Sequence, residues 1–232
     1  MQPYLFPYMG YWQLLNAVDR FVVYDDVNYI KGGWINRNRI LINGEAAFFT
    51  IPLAGASPNS RINEIRLVVD RYWRKKITKT MEVTYGRAAH FKSVFPVIEK
   101  VLAHESETLA DFLLHQLTVV SRCLGVRTEI VRSTNRYANA QLHGQERVID
   151  ICKCEGAGAY INAQGGQSLY QPQAFESQGV ALKFLMSAAA PYRQASKSFV
   201  PNLSIIDMLM NIGFSETTAL LSRCNFVGDP NG

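Results

Sequence analysis

The chain has 232 residues, 48% of them hydrophobic and 19% charged, with a formal net charge of +5 at pH 7. That suffices for one sizeable core, and a modest positive excess without a long basic run suits an anionic small molecule and argues against duplex binding. No apolar stretch reaches the roughly 18 uncharged residues of a membrane span, and the start Met1-Gln2-Pro3-Tyr4 lacks the charged and apolar regions of a signal peptide, so a cytoplasmic location is expected.

A proline- and aromatic-rich loop opens the chain, and a short helix is predicted over residues 10–18. Pro3 and Pro7 each fix their own φ, and Gly10 permits a close backbone approach where the helix begins. Such a stiff loop feeding a helix N-terminus forms an anion seat, with Gln2, Tyr4, Gly10 and Tyr11 around it. The same aromatics suit a plug over a sheet edge. Residues 21–24 read as a buried strand, because they are short, apolar and β-branched. It ends in Asp25-Asp26-Val27-Asn28. Carboxylates just past a strand end sit at the ligand crevice of an open α/β sheet, where they can act as a general base or bind a metal, a ribose or an amine. Burial would raise one of the two pKa values. An ordinary turn, capped by its own Asp and Asn side chains, fits equally well.

A hairpin is predicted next, with strands over 34–42 and 46–51 around Asn43-Gly44, a strong two-residue turn signal. Its first strand follows Lys31 and holds Trp34, Asn36, Arg37, Asn38 and Arg39. Strand alternation puts Trp34, Asn36 and Asn38 on one face and Ile35, Arg37 and Arg39 on the other. Asparagine is disfavoured in strands, so two beside a tryptophan suggest a polar site with a stacking platform, and the arginines suit phosphate or carboxylate. A solvated edge strand is the plainer alternative. A further strand is expected over 62–69.

Helices are predicted over 72–84, 91–103 and 109–124 from apolar residues at three- and four-residue spacing. The first carries Trp73, Arg74 and Lys75 near its start, and Arg71, Lys75 and Lys79 at four-residue spacing. Both arrangements oppose helix stability slightly, which points to a bound anion, or to a lysine-rich solvated face with Asp70 as N-cap. Strand 128–131, helix 145–154, strand 159–162, helix 172–177 and strand 181–185 then alternate as α/β units. Tyr160 and Asn162 lead into a loop with Gly165 and Gly166, and Tyr192, Gln194 and Asn202 form a second aromatic-polar loop. Two short helices, 205–212 and 216–222, end the pattern. Ser204 and Asp207 read as a capping box. The four cysteines show neither zinc nor C-x-x-C redox spacing and read as reduced thiols. The four histidines are scattered, so no metal site is expected. No G-x-S-x-G, Walker or zinc signature is present.

Taken together, Gln2-Pro-x-x-x-Pro7-x-x-Gly10-Tyr11, Tyr24-Asp25-Asp26-Val27, Trp34-x-Asn36-Arg37-Asn38, Trp73-Arg74-Lys75-Lys76, Ile149-Asp150-Ile151, Tyr160-Ile161-Asn162 with Gly165-Gly166, Tyr192-x-Gln194 and the run from Phe199 to Asp207 resemble the WbqC-like family, in order and over roughly the whole chain. That resemblance implies one α/β domain over 1–232, with a mixed sheet flanked by helices, a β-hairpin and a central helical segment. It also implies a transferase of O-antigen or related surface-polysaccharide synthesis, moving glycine or another aminoacyl group to a nucleotide-linked amino sugar. Members begin with a short apolar strand before the Gln-Pro motif. Here Met1 adjoins Gln2, so an upstream start or a missing first strand is expected. A more distant likeness is to the HIGH-motif nucleotidyltransferases, with Tyr8-Met9-Gly10-Tyr11 in place of their H-x-G-H.

The expected catalytic residues are Asp25, Asp26 and Arg37, with Arg39, Arg74 and Lys75 holding phosphate or carboxylate. The expected partner is an anionic sugar-nucleotide or activated aminoacyl donor, not nucleic acid. The cofactor stays open, a nucleotide with or without Mg²⁺. The rival readings are a nucleotidyltransferase-like enzyme and a non-catalytic carbohydrate-binding subunit. All rest on one expectation, that Gln2, Asp25, Arg37 and Tyr192 share a cavity at the C-terminal edge of the sheet.

Overall fold

A computed structural model describes residues 1–188 and 190–228. In chain order run α1 (Met9–Asn16), β1 (Arg20–Val22), β2 (Arg37–Ile42), β3 (Glu45–Thr50), β4 (Leu53–Ala54), β5 (Arg66–Leu67), α2 (Tyr72–Tyr85), α3 (Phe91–Ala103), α4 (Leu109–Cys123), β6 (Glu129–Val131), α5 (Gly144–Cys154), β7 (Ala159–Ala163), α6 (Pro172–Glu176), β8 (Ala181–Ser187), α7 (Ile205–Leu220) and β9 (Cys224–Val227). The fold is α/β, with a hairpin and a central helical segment. Its strands divide among small sheets: β1 parallel to β6, β2 antiparallel to β3, β4 antiparallel to β5, and a mixed sheet in which β8 runs parallel to β7 and antiparallel to β9.

The hairpin turns at Asn43 and Gly44, whose φ values of 54° and 83° match a type I′ turn. Its first strand starts at Arg37, three residues later than expected, because the Trp34 carbonyl accepts from Leu5 N–H of the opening loop. Trp34 therefore escapes the strand alternation, and the guanidinium of Arg39 lies 5.5 Å from its ring, contrary to the assignment to opposite faces. The expected strand over 62–69 also shortens. Ile62 and Asn63 donate to the carbonyls of Val27 and Asp25, which winds Ile62–Glu64 into a 3-10 turn and leaves Arg66 and Leu67 to pair.

Helix α1 is buried nearly all round and packs on β7 and β8. A helix apolar on every side belongs inside a core. Helices α2, α3, α4 and α7 complete that core around Met81, Val94, Phe112, Leu117 and Met210. Helix α7 is interrupted at Gly213 (φ 78°, ψ 177°), a conformation open almost only to glycine, so the two short helices expected here meet at a kink. A built Cβ on Gly213 would lie 2.5 Å from His90 Nδ1. Ser204 caps α7 through Ile206 N–H, but the Asp207 carboxylate does not reciprocate. It accepts from the hydroxyls of Tyr85 and Tyr192 at 2.8 and 2.7 Å. The capping-box reading of Asp207 is thus corrected: two buried tyrosines outcompete the backbone for its oxygens. No helix among the described residues is long and apolar enough to cross a membrane.

Candidate functional site

The opening loop is held by side chains from three distant parts of the chain and by Trp12 of the adjoining helix. Asn38 donates to the carbonyls of Leu5 and Phe6, Ser204 to Phe6, Trp12 to Pro7 and Gln116 to Tyr4. Gln116 also accepts from Phe6 N–H at 2.6 Å, inside the core. Phe6 has φ 39°, a left-handed conformation that is uncommon for a bulky residue and persists only where surroundings over-determine it. The Tyr11 hydroxyl adds a bond to the Gln2 carbonyl. Two prolines and seven such bonds leave the loop little freedom.

That loop forms one wall of a cleft of about 440 Å³. Opposite it stand Ala163, the last residue of β7, Gln164 and Gly165 just past it, and Leu185 and Ser187 at the end of β8. The cleft thus lies at the C-terminal ends of two parallel strands, where α/β proteins bind ligands. Tyr4, Tyr8 and Trp34 supply aromatic surface, Arg39 the charge, and Asn38 and Asn202 amides. The Arg39 Nε is buried without a hydrogen-bond partner, a cationic donor left uncommitted beside the Trp34 ring. No side chain caps α1 and the Tyr11 N–H already bonds the Tyr8 carbonyl, which leaves the Met9 and Gly10 N–H groups without an intrahelical acceptor, and Gly10 lines the cleft. The Tyr8 ring closes over Gly10 so tightly that a Cβ there would meet its Cε2 at 2.5 Å. Burial raises the pKa of both Tyr4 and Tyr8 above that of free tyrosine, so their hydroxyls remain protonated donors. Among the described residues, no carboxylate, lysine or imidazole lines the cleft.

The sequence-predicted residues divide sharply. Tyr4, Gly10, Asn38, Arg39, Gly165 and Asn202 line the cleft, and Tyr192 lines a smaller hollow beside it. Asn162 and Gly166 shape the loop after β7: Asn162 accepts from Ala163 N–H, and its amide packs where a Cβ on Gly166 would sit, at 2.8 Å. Gln194 exchanges two hydrogen bonds with the Val200 backbone and so folds the loop bearing Asn202.

The expected cavity shared by Gln2, Asp25, Arg37 and Tyr192 does not form: of the four, only Tyr192 reaches the cleft system. Asp25 and Asp26 are 4% exposed and bound within the fold. Asp26 pairs with buried Arg147 at 2.5 Å and accepts from Thr134, while Asp25 accepts from Ser133 and Thr134. Burial raises the Asp25 pKa, against the pull of those hydrogen bonds, and the charge of Asp26 adds least. Arg147 continues through Asn139 to Asp150, so the acidic pair clamps the end of β1 to α5. Arg37 donates to the carbonyls of Gly32 and Gly33 and stacks 4.3 Å above Phe48. Asn36 is spent on Tyr29 and Ile51, and buried Tyr11 on the Gln2 carbonyl. Only Tyr8, of the two tyrosines in Tyr8-Met9-Gly10-Tyr11, reaches the cleft. Asn28 and Lys31 are exposed outside it. On α2, Trp73 is buried, Lys75 is exposed, and Arg74 donates to the last carbonyls of α3, Leu102 and His104, so this cluster acts as a helix cap far from the lining. Tyr160 packs with Tyr170 and Phe175 in a second small core.

Sequence reasoning passed over Gln116, Gln164, Ser187 and Arg147, and named Tyr8 only in its likeness to the H-x-G-H motif. Gln116 and Arg147 carried a signal: each interrupts an otherwise apolar stripe, Phe112-Leu113-Gln116-Leu117 and Arg147-Ile151, where an uncompensated polar group would be costly. Gln164 and Ser187 are ordinary loop residues and carried none.

A chain from Mycobacterium tuberculosis, described as an uncharacterized protein, is 28% identical over 222 residues, spanning 94% of both chains. No solved structure matches the chain. The model of the WbqC-like protein family matches residues 2–219, which covers the opening loop, the cleft strands and α7 alike, and the chain belongs to that family.

Proposed function

We propose that the chain is a transferase of surface-polysaccharide synthesis whose cleft holds a nucleotide-activated sugar or a similar anionic activated substrate. One observation carries this reading: the unpartnered Arg39 Nε, the Trp34 and Tyr4 rings and the start of α1 meet around one cavity at the ends of β7 and β8. A charged donor buried without a partner costs about 1–3 kcal/mol until an anion satisfies it. Aromatic faces suit a base or sugar ring, and hydrogen-bond donors at a helix start suit a diphosphate. Transfer from an activated donor needs chiefly positioning and stabilisation of leaving-group charge, which the cleft offers without a lining carboxylate. Glycine or another aminoacyl group is the transferred moiety that family membership favours.

The test is a thermal-shift series with UDP-N-acetylglucosamine, nucleoside triphosphates with and without Mg²⁺, and free N-acetylglucosamine. A ligand at a hundred times its Kd adds about 2.7 kcal/mol, roughly 5–10 °C for a chain of this size. The sugar-nucleotide is expected to shift the wild type and to shift Arg39→Ala by no more than about half as much. A shift with triphosphates alone would favour a nucleotidyltransferase, and one with free sugar alone a carbohydrate-binding subunit.

A further inference from the structure

The cleft does not end at Tyr8. A second hollow of about 160 Å³ opens beside it, and Tyr8, Gly10, Ser187 and Asn202 belong to the walls of both. Its remaining surface comes from Met9, Pro201, Leu203, Ile205 and Met208 and from the rings of Tyr192 and Phe199, with Ala190 at the exposed rim. Among the described residues, no charged side chain lines it, in contrast to the main cleft with Arg39. The wall is preformed. Tyr192 is fixed by its hydrogen bond to Asp207, whose other oxygen is held by Tyr85, and it meets Phe199 edge-on with ring centroids 5.5 Å apart.

We propose that this hollow is a second subsite, one that takes a compact uncharged group of about six non-hydrogen atoms while an anionic ligand occupies the main cleft. The size follows from volume: an apolar cavity of about 150 Å³ accommodates one benzene ring, and this one measures about 160 Å³. The charge follows from the lining: among the described residues no charged side chain faces the hollow, and an anion in the main cleft, engaging Arg39 and the start of α1, would repel a second one across the shared wall. Ser187 and Asn202 stand at the threshold, so a hydroxyl or amide on the bound group would be turned toward the main cleft. Two adjoining seats on a rigid frame bring two reacting groups together without further ordering, the largest contribution such a site can make. The subsite rests on the reading of the main cleft as a substrate site, and adds the chemical class of what meets the first ligand there.

Phenol is the probe, with benzoate as its anionic counterpart of similar size, each titrated into the full chain by calorimetry and heteronuclear NMR. Phenol is expected to bind one-to-one, with benzoate at least tenfold weaker, and to remain bound under saturating UDP. Ala190→Trp fills the hollow from its exposed rim and should weaken phenol at least tenfold. Phe199→Ala, at a position 40% exposed, removes one wall and should weaken it as well. The proposal is overturned by absent or non-saturable phenol binding, by equal affinity for benzoate, by unchanged phenol affinity in both variants, or by displacement of phenol by UDP. Failure of UDP itself to bind would sink the reading of the main cleft, and the phenol titrations alone would still decide the subsite.

Discussion

Gln116→Met is the perturbation that most directly probes how the cleft wall is built. Gln116 is fully buried in α4, accepts from Phe6 N–H at 2.6 Å and donates to the Tyr4 carbonyl at 3.3 Å. Methionine keeps the length and removes both contacts, leaving the Phe6 N–H unpaired in the core. An unsatisfied buried donor costs about 1–3 kcal/mol and the lost, longer bond about 1 kcal/mol, so the loss is about 2–4 kcal/mol. For a chain of this size that lowers Tm by roughly 5–15 °C. The loop should also loosen, because Phe6 is held at its left-handed φ of 39° only by such bonds, and affinity for a cleft ligand should fall with it. Gly213→Ala supplies the control. Its backbone conformation admits almost only glycine, so it should lose about 1–3 kcal/mol, yet it contacts no part of the cleft. Urea titrations give the stabilities and calorimetry with UDP-N-acetylglucosamine the affinities. The reasoning is refuted if Gln116→Met is as stable as the wild type, or if both variants weaken the ligand equally.

Arg147→Met should cost about 3–5 kcal/mol, since it leaves Asp26 charged and buried with only the Thr134 hydroxyl and no cation; urea unfolding checks this, and a loss below 1 kcal/mol would refute the clamp. Arg39→Ala should not lower urea stability, because its Nε has no partner to lose and removing that unpaired donor relieves its cost, while weakening a sugar-nucleotide roughly 10–150-fold, the worth of a charge-assisted hydrogen bond. His115 stacks on His104 with ring centroids 3.6 Å apart, and burial, then the His104, Lys100 and Arg122 charges, hold its pKa below the 6.5 of a free imidazole. The unfolded chain therefore binds this proton more readily, so the stability it contributes is complete above pH 6.5 and is lost as pH falls from there toward the lower folded pKa. A Tm series from pH 8 to 5 should fall less steeply for His115→Asn than for the wild type, and parallel curves would refute the assignment.

Much of the fold could be read from the chain because the signals were local. Asn43-Gly44 demands positive φ, α3 repeats apolar residues at helical spacing over its whole length, and β7 and β8 are bounded by turn residues. The division into small sheets was not readable, since it depends on which carbonyls the loops claim, as when Val27 and Asp25 take the donors of Ile62 and Asn63. At the site, Asn38 and Arg39 stood out as polar groups in a strand, and they do line the cleft. Arg37 stood out for the same reason, and Asp25 and Asp26 as carboxylates just past a strand end, and these three do not. A buried ion pair that clamps two elements and a carboxylate awaiting substrate have the same composition, and only the partner, here Arg147 at 121 residues' separation, tells them apart.

The central claim is that an activated anionic ligand is held between Arg39, Trp34 and the start of α1. A crystal structure of the chain soaked with UDP-N-acetylglucosamine tests it most directly. The account predicts the diphosphate within hydrogen-bond distance of the Arg39 guanidinium, with a ring of the ligand against Trp34 or Tyr4. Ligand density at the Asp25–Asp26 pair or on the basic face of α2, with the cleft left to solvent, would contradict it.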